Sequence, residues 1–239
     1  MKVLVINPNT SESMTQHIRR ELEKIKSPHT VLEVKNLSEG PSAIQSAYDA
    51  ALAAPYVVEM VKKANEEGYD AVIIACFSDP GIDAAKEVSQ ILVLGIAEAA
   101  FHIAALLGYK FCIMTPLKTR IPSKEEHVRR LGLGKLLASV RAMNMTVLET
   151  DANPDETKTA VLEIGKRAIE EDGAEVIILG CAGMAGYSEE LAKQLGVPVL
   201  DPTSVALKVA EAMVDLGLTH SKIGLFSRPL SIEREEMRS

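Results

Sequence analysis

Two stretches, Asp70-Ala-Val-Ile-Ile-Ala-Cys76 and Glu175-Val-Ile-Ile-Leu-Gly-Cys181, are near copies of each other. In each, an acidic residue precedes a β-branched apolar run, the run ends at a cysteine, and a turn and a helical pattern follow. A continuous apolar run of this length is the signature of a strand buried on both faces, as in parallel sheets. A thiol just past such a strand lies where open α/β sheets hold their ligands, and a following helix turns its positive N-terminus toward a thiolate. Taken singly, either cysteine is equally well explained as a buried structural thiol, because free cysteine is among the most buried residue types.

Outward from these runs the same order of elements occurs twice. The first half begins with Val3–Ile6, a helix over about Ser11–Ile25, Thr30-Val-Leu-Glu-Val34, a helix over about Ala50–Glu66, the Cys76 strand, a helix over Ile82–Ser89 and the strand Ile91–Ile96. The second begins with Phe111-Cys-Ile-Met114, matches Thr30-Val-Leu-Glu33 with Thr146-Val-Leu-Glu149, and continues with a helix over Glu156–Glu171. The Cys181 strand, a helix over Glu189–Leu195 and the strand Val197–Leu200 complete it. Alternating strands and helices predict parallel sheets with right-handed crossovers. The expected fold class is α/β: two pseudo-symmetric flavodoxin-like lobes, each with a parallel sheet, and an active site in the cleft between them. A helix over Ser204–Leu216 and a strand Ile223–Phe226 are expected to return to the first lobe, so that residues 1–97 plus 208–239 form one lobe and 98–207 the other. The polar tail from Ser227 to Ser239 is expected to be loosely held.

Composition excludes several classes. The 239 residues are 47% apolar and 25% charged, with net charge −7, which is globular rather than disordered. No basic stripe or aromatic-basic cluster is present, so nucleic acid is not an expected partner. No apolar run approaches the roughly 20 residues that cross a bilayer, and the first residues lack the pattern of a signal peptide, so no membrane partner is expected and a cytoplasmic location is. Three cysteines without a C-x-x-C pair suit free thiols better than disulfides or zinc. The histidines show no metal-ligand spacing, and no glycine-rich phosphate fingerprint follows a strand. The expectation is no metal and no cofactor. Cys112, inside an apolar strand, is expected in the core, and Glu125–Arg130 is expected to be a solvated helix face.

The turns after the strands carry the candidate chemistry. Asn9, with Glu12 three residues on, has the spacing of a capping box. Phe77-Ser-Asp-Pro-Gly81 follows Cys76, with Asp79 placed to cap the next helix and Ser78 left free to face the cleft. Ala182 and Gly183 follow Cys181, where backbone amides can approach a carbonyl. Thr115 supplies a hydroxyl at the matching place in the second lobe.

Together, Asn7-Pro-Asn-Thr-Ser, Cys76-Phe-Ser-Asp-Pro-Gly, Met114-Thr-Pro-Leu, Gly180-Cys-Ala-Gly-Met and Gly196-Val-Pro-Val-Leu-Asp-Pro resemble the hydantoin racemase branch of the aspartate/glutamate racemase superfamily. The likeness extends to about Ala212. The paired cysteines resemble the superfamily as a whole, and the Cys-Phe-Ser-Asp-Pro-Gly turn is similar to the hydantoin and allantoin branch. Pro116 departs from the pattern, since many members have a second threonine there.

The resemblance implies a cofactor-independent racemase in which Cys76 and Cys181 act as base and acid on opposite faces of a stereocentre. Asn9, Phe77, Ser78, Thr115, Ala182 and Gly183 would contact a small-molecule substrate. A homo-oligomer is expected. The substrate implied is a 5-substituted hydantoin. Allantoin is the alternative, as is aspartate or glutamate with Arg120 holding a carboxylate. Outside racemases, a small-molecule binder or a thiol redox protein fits the same residues.

Overall fold

In the computed structural model, which describes residues 1–232, strand β1 (Lys2–Asn7) leads through α1 (Glu12–Ile25), β2 (Val31–Asn36) and α2 (Ala47–Glu66) to β3 (Ala71–Ile74), α3 (Ile82–Val88) and β4 (Leu92–Gly95). Helix α4 (Ile96–Leu107) crosses to β5 (Phe111–Thr115), α5 (Ile121–Arg130), β6 (Leu137–Ala142), α6 (Val147–Ala152) and α7 (Pro154–Asp172). Then come β7 (Val176–Leu179), α8 (Ser188–Leu195), β8 (Val199–Leu200) and α9 (Pro202–Asp215). The strands form two four-stranded sheets ordered β2-β1-β3-β4 and β6-β5-β7-β8, with every pairing parallel. This is the expected pair of α/β lobes. The order places a switch point between β1 and β3 in one lobe and between β5 and β7 in the other, where crevices open at strand carboxyl ends.

The two acidic residues that open the repeats do the same job. Asp70 Oδ2 accepts from the Lys2 amide at 2.7 Å, and Glu175 Oε2 accepts from the Tyr109 amide at 2.8 Å, so each carboxylate ties the foot of the cysteine strand to the foot of the central strand. Both β3 and β7 are buried along their whole length. Past β7, a Cβ on Gly180 would stand 2.4 Å from Met114 O, so only glycine allows the backbone to close to its 2.7 Å hydrogen bond there.

Several expectations need correction. Thr146-Val-Leu-Glu149 is not a strand; the true counterpart of β2 is Leu137–Ala142. Thr146 instead caps α6, its Oγ1 accepting from the Glu149 amide at 3.2 Å while Glu149 Oε2 accepts from the Thr146 amide at 2.7 Å. Threonine followed three residues on by glutamate is a capping box, and that local option prevails where no sheet partner competes. At the first occurrence, Thr30 Oγ1 donates to Glu211 and Glu33 accepts from the Tyr69 hydroxyl, which leaves the backbone to pair with β1.

Ile223–Phe226 is also not a strand. It is broken by Gly224 at φ 132, with Ile223 and Leu225 exposed. The edge of β4 is met by a side chain instead, His220 Nε2 accepting from the Val93 amide at 2.9 Å. Residues 233–239 of the expected loose tail lie outside the described residues.

Helix α9 packs on α4, α1, β3 and β4. Its buried Glu211 accepts from the Ser27 amide, the Ser27 and Thr30 hydroxyls and Lys208, all at 2.7–2.8 Å. Burial opposes charge on Glu211, but these donors outweigh it and hold the carboxyl at about 2.

Candidate active site

The carboxyl ends of β1, β3, β5 and β7 meet at one cleft with about 500 Å³ of empty space. It is lined by Asn9, Cys76, Phe77, Ser78, Thr115, Cys181 and Ala182, so seven of the eight expected site residues come together there. Gly183 does not reach it. Its amide hydrogen-bonds back to Cys181, and a Cβ placed on it would meet Thr150 Oγ1 at 3.2 Å, so it supports the thiol from behind.

The two cysteines are met alike. The Ser78 amide hydrogen-bonds to Cys76, and the Gly183 amide to Cys181, in each case from two residues downstream. Both are free thiols, and negative charge on Cys181 raises the pKa of Cys76, so they share one electrostatic environment. The expected help from helix N-termini is overridden. Cys76 is separated from the seven-residue α3 by a turn, and Cys181 is followed only by the short 3-10 turn Ala182–Met184. Burial therefore dominates, pushing Cys76 up to about 11 and raising Cys181.

Asp79 is the second local correction. It stands at φ 42 and does not cap α3, whose cap is Gly81. Its carboxylate accepts instead from the Ala97 and Glu98 amides at 3.2 and 3.1 Å, capping α4. Burial and the neighbouring Glu98 raise Asp79 to about 7. Asn9 likewise makes no capping box with Glu12. Ser11 caps α1, while Asn9 Oδ1 accepts from the Ser11 amide at 2.8 Å and from Asn7 Nδ2 at 2.9 Å. Among the described residues the Asn9 amide nitrogen is left with only the Met14 sulfur, at 3.4 Å.

On the opposite wall Thr115 is fully buried, and its Oγ1 finds no hydrogen-bond partner among the described residues. A buried hydroxyl without a partner is costly, and here it borders the cleft. Cys112, as expected, is core: it is 0% exposed and packs with Met114 and Leu179.

Lys124 is the main residue the sequence reading missed. The run around it is not wholly solvated. Lys124 and Val128 are buried, and His127 packs edge-on to Phe101 at 5.3 Å. Lys124 Nζ donates to Phe77 O and lies 3.4 Å from Ser78 Oγ. Burial lowers it to about 8, although Cys76 pulls in the other direction. Ile121, Lys124 and Val128 fall at i, i+3 and i+7, a helical stripe that would have pointed to an inward-facing lysine. Ile44, Gln45 and Val147 also line the cleft, brought in by loops and by α6 without any motif. Among the described residues no cluster of three His, Cys, Asp or Glu side chains can hold a metal, and no helix is long and apolar enough to cross a membrane.

The two-lobed parallel α/β fold brings a free cysteine to the switch point of each lobe, and the family that shares this chain's sequence is one of racemases. Residues 3–210 match the family model described as Asp/Glu/Hydantoin racemase, and the chain belongs to that family. It is 41% identical over 229 residues to a hydantoin racemase of Pseudomonas sp. strain NS671, covering 96% of this chain and 92% of that one. To the hydantoin racemase of Paenarthrobacter aurescens it is 38% identical, covering 96% and 98%. Its structure resembles the allantoin racemase from Klebsiella pneumoniae with a TM-score of 0.92 at 37% identity, covering 96% and 94%.

Proposed function

We propose that the protein inverts the stereocentre of a 5-substituted hydantoin by two-cysteine proton transfer, without metal or cofactor. The observation that carries this reading is the pair of free thiols at equivalent positions of the two lobes, bordering one cleft. Inversion next to a carbonyl needs a base on one face of the carbon and an acid on the other. A thiolate takes the proton from one face, electron density moves into the adjacent carbonyl, and the opposite thiol returns a proton to the other face. The developing enolate oxygen requires donors, for which Thr115 Oγ1, Ser78 Oγ and the Ala182 amide stand at the cleft. Asn9 Nδ2, whose acceptor among the described residues is the Met14 sulfur, is suited to a ring carbonyl.

Allantoin is itself a 5-ureido hydantoin, and the likeness to an allantoin racemase structure favours it as a second reading. We further propose a homo-oligomer, supported by the exposed Leu106, Leu107, Leu216 and Leu218, and lobes divided as 1–97 with 208–239 against 98–207, supported by the packing of α9 on β3 and β4.

The test is loss of the stereocentre proton, at C5 of a panel of 5-substituted hydantoins and allantoin and at Cα of L-aspartate, in deuterated water. Exchange with inversion of hydantoins supports the reading. Turnover of aspartate alone overturns the substrate while leaving the thiol chemistry.

A further inference from the structure

Lys124 is 5% exposed, and both of its hydrogen-bond acceptors, Phe77 O and Ser78 Oγ, are neutral. Among the described residues no carboxylate oxygen lies within 4.0 Å of its ammonium. The acid whose charge acts on it, Asp79, is engaged by the amides of α4 and lies 3.8 Å from His127. The other charged and titratable groups facing Lys124 are Arg120, from the turn before α5, and the two cleft thiols. A buried ammonium without a counter-ion is expensive. Conserving its charge makes physical sense only if an anion forms beside it, and the group adjoining its acceptors Phe77 and Ser78 is Cys76.

We propose that Lys124 is a positioning residue whose ammonium is the counter-ion of the thiolate formed in the cleft, acting most strongly on Cys76. This rests on the two-thiol reading above, which gives the thiolate its use. The lysine favours thiolate on both cysteines, and its hydrogen bonds go to Phe77 and Ser78, the two residues that follow Cys76. Its place on one lobe makes the pseudo-symmetric site electrostatically unequal. Cys76 faces a cation, whereas Cys181 faces the Thr150 hydroxyl at 3.8 Å. Arg120 lines the same cleft, but among the described residues the hydrogen bonds to Phe77 O and Ser78 Oγ come from Lys124.

The test reads thiolate directly and needs no substrate. Iodoacetamide alkylation rates are followed from pH 6 to 10 by mass spectrometry in full-length Cys181→Ser, which leaves Cys76 as the one cleft thiol, and in Cys76→Ser. Each is combined with Lys124→Met, Lys124→Gln or Lys124→Arg. Loss of the charge should cut the Cys76 thiolate fraction about tenfold below its midpoint, which is about tenfold slower labelling at pH 7. Cys181 should slow less, and arginine should restore most of the rate. Glutamine keeps a donor for Phe77 O and Ser78 Oγ, so it separates charge from hydrogen bonding and serves if the methionine variant does not fold. Slow labelling in Lys124→Gln supports the counter-ion role. A pH 7 labelling rate unchanged in Lys124→Gln, or equal slowing at both cysteines, overturns it. Absence of hydantoin turnover in the unaltered protein would sink the proposed function without touching this result.

Discussion

His17 Nδ1 lies 2.7 Å from Asp151 Oδ1, and this contact joins α1 of one lobe to α6 of the other across 134 residues of chain. The second ring nitrogen, Nε2, lies 3.1 Å from Ala185 O in the loop that follows Cys181. A carboxylate and a carbonyl both accept, so both ring nitrogens must donate, which only the imidazolium does. Asp151 adjoins Thr150, whose hydroxyl contacts Cys181, and the latch therefore fixes the backbone that presents one thiol.

The hydrogen bond to Asp151 raises the His17 pKa above its ordinary value, with further help from Ala185 O and Glu21 and opposition from burial. A raised pKa means that its contribution to stability is full below the unfolded value of about 6.5 and is lost as pH rises through the folded value. Thermal melts should show this pH-dependent contribution in the parent protein and its disappearance in His17→Gln. Identical pH dependence in the two proteins would remove the latch.

Cys76→Ser and Cys181→Ser should each reduce racemisation by several orders of magnitude with circular dichroism unchanged, because each removes one of two proton carriers. One-sided exchange of the 5-proton without inversion is expected where the remaining cysteine still acts as base. Cys112→Ser should keep most activity and lose about 1–3 kcal/mol of stability by placing a hydroxyl in the core. A fully active Cys181→Ser enzyme contradicts the two-thiol mechanism.

Because burial raises both thiols, the rate should climb with pH into the alkaline range before it falls. One thiolate and one thiol are needed at once, so the profile is a bell whose limbs belong to the coupled pair. Its acid limb should lie above the free-cysteine value of about 8.5. An acid limb near 6 would mean that some positive group outweighs burial.

Ser78→Ala and Thr115→Ala should each lower kcat by on the order of 10²-fold if they stabilise the enolate oxygen. Thr115→Ala should cost little stability, since Oγ1 gives up no hydrogen bond within the described residues. Arg120→Ala should leave neutral hydantoins nearly unaffected while weakening any substrate with a side-chain carboxylate. A Thr115→Ala enzyme with unaltered kcat would take that hydroxyl out of the reaction.

The repeated apolar runs, the lobes and the pair of cysteines were legible in the chain, because burial on both faces of a parallel strand requires an unbroken apolar stretch and the duplication doubles the signal. Thr146-Val-Leu-Glu149 shows the limit. Four residues identical to Thr30–Glu33 cap a helix in one lobe and begin at a strand in the other, because the available partners decide between two locally allowed structures. Helix α4 has no sequence signal of its own because it is apolar around most of its circumference, and α5 reads as a solvated helix face because it is polar except for the one narrow stripe that buries Lys124 and Val128. The acidity of the thiols, the burial of Lys124, the turning of Asp79 toward α4 and the His17–Asp151 latch depend on packing between segments far apart in sequence. Desolvation and through-space charge act over a few ångströms of folded space, so only the tertiary structure decided them.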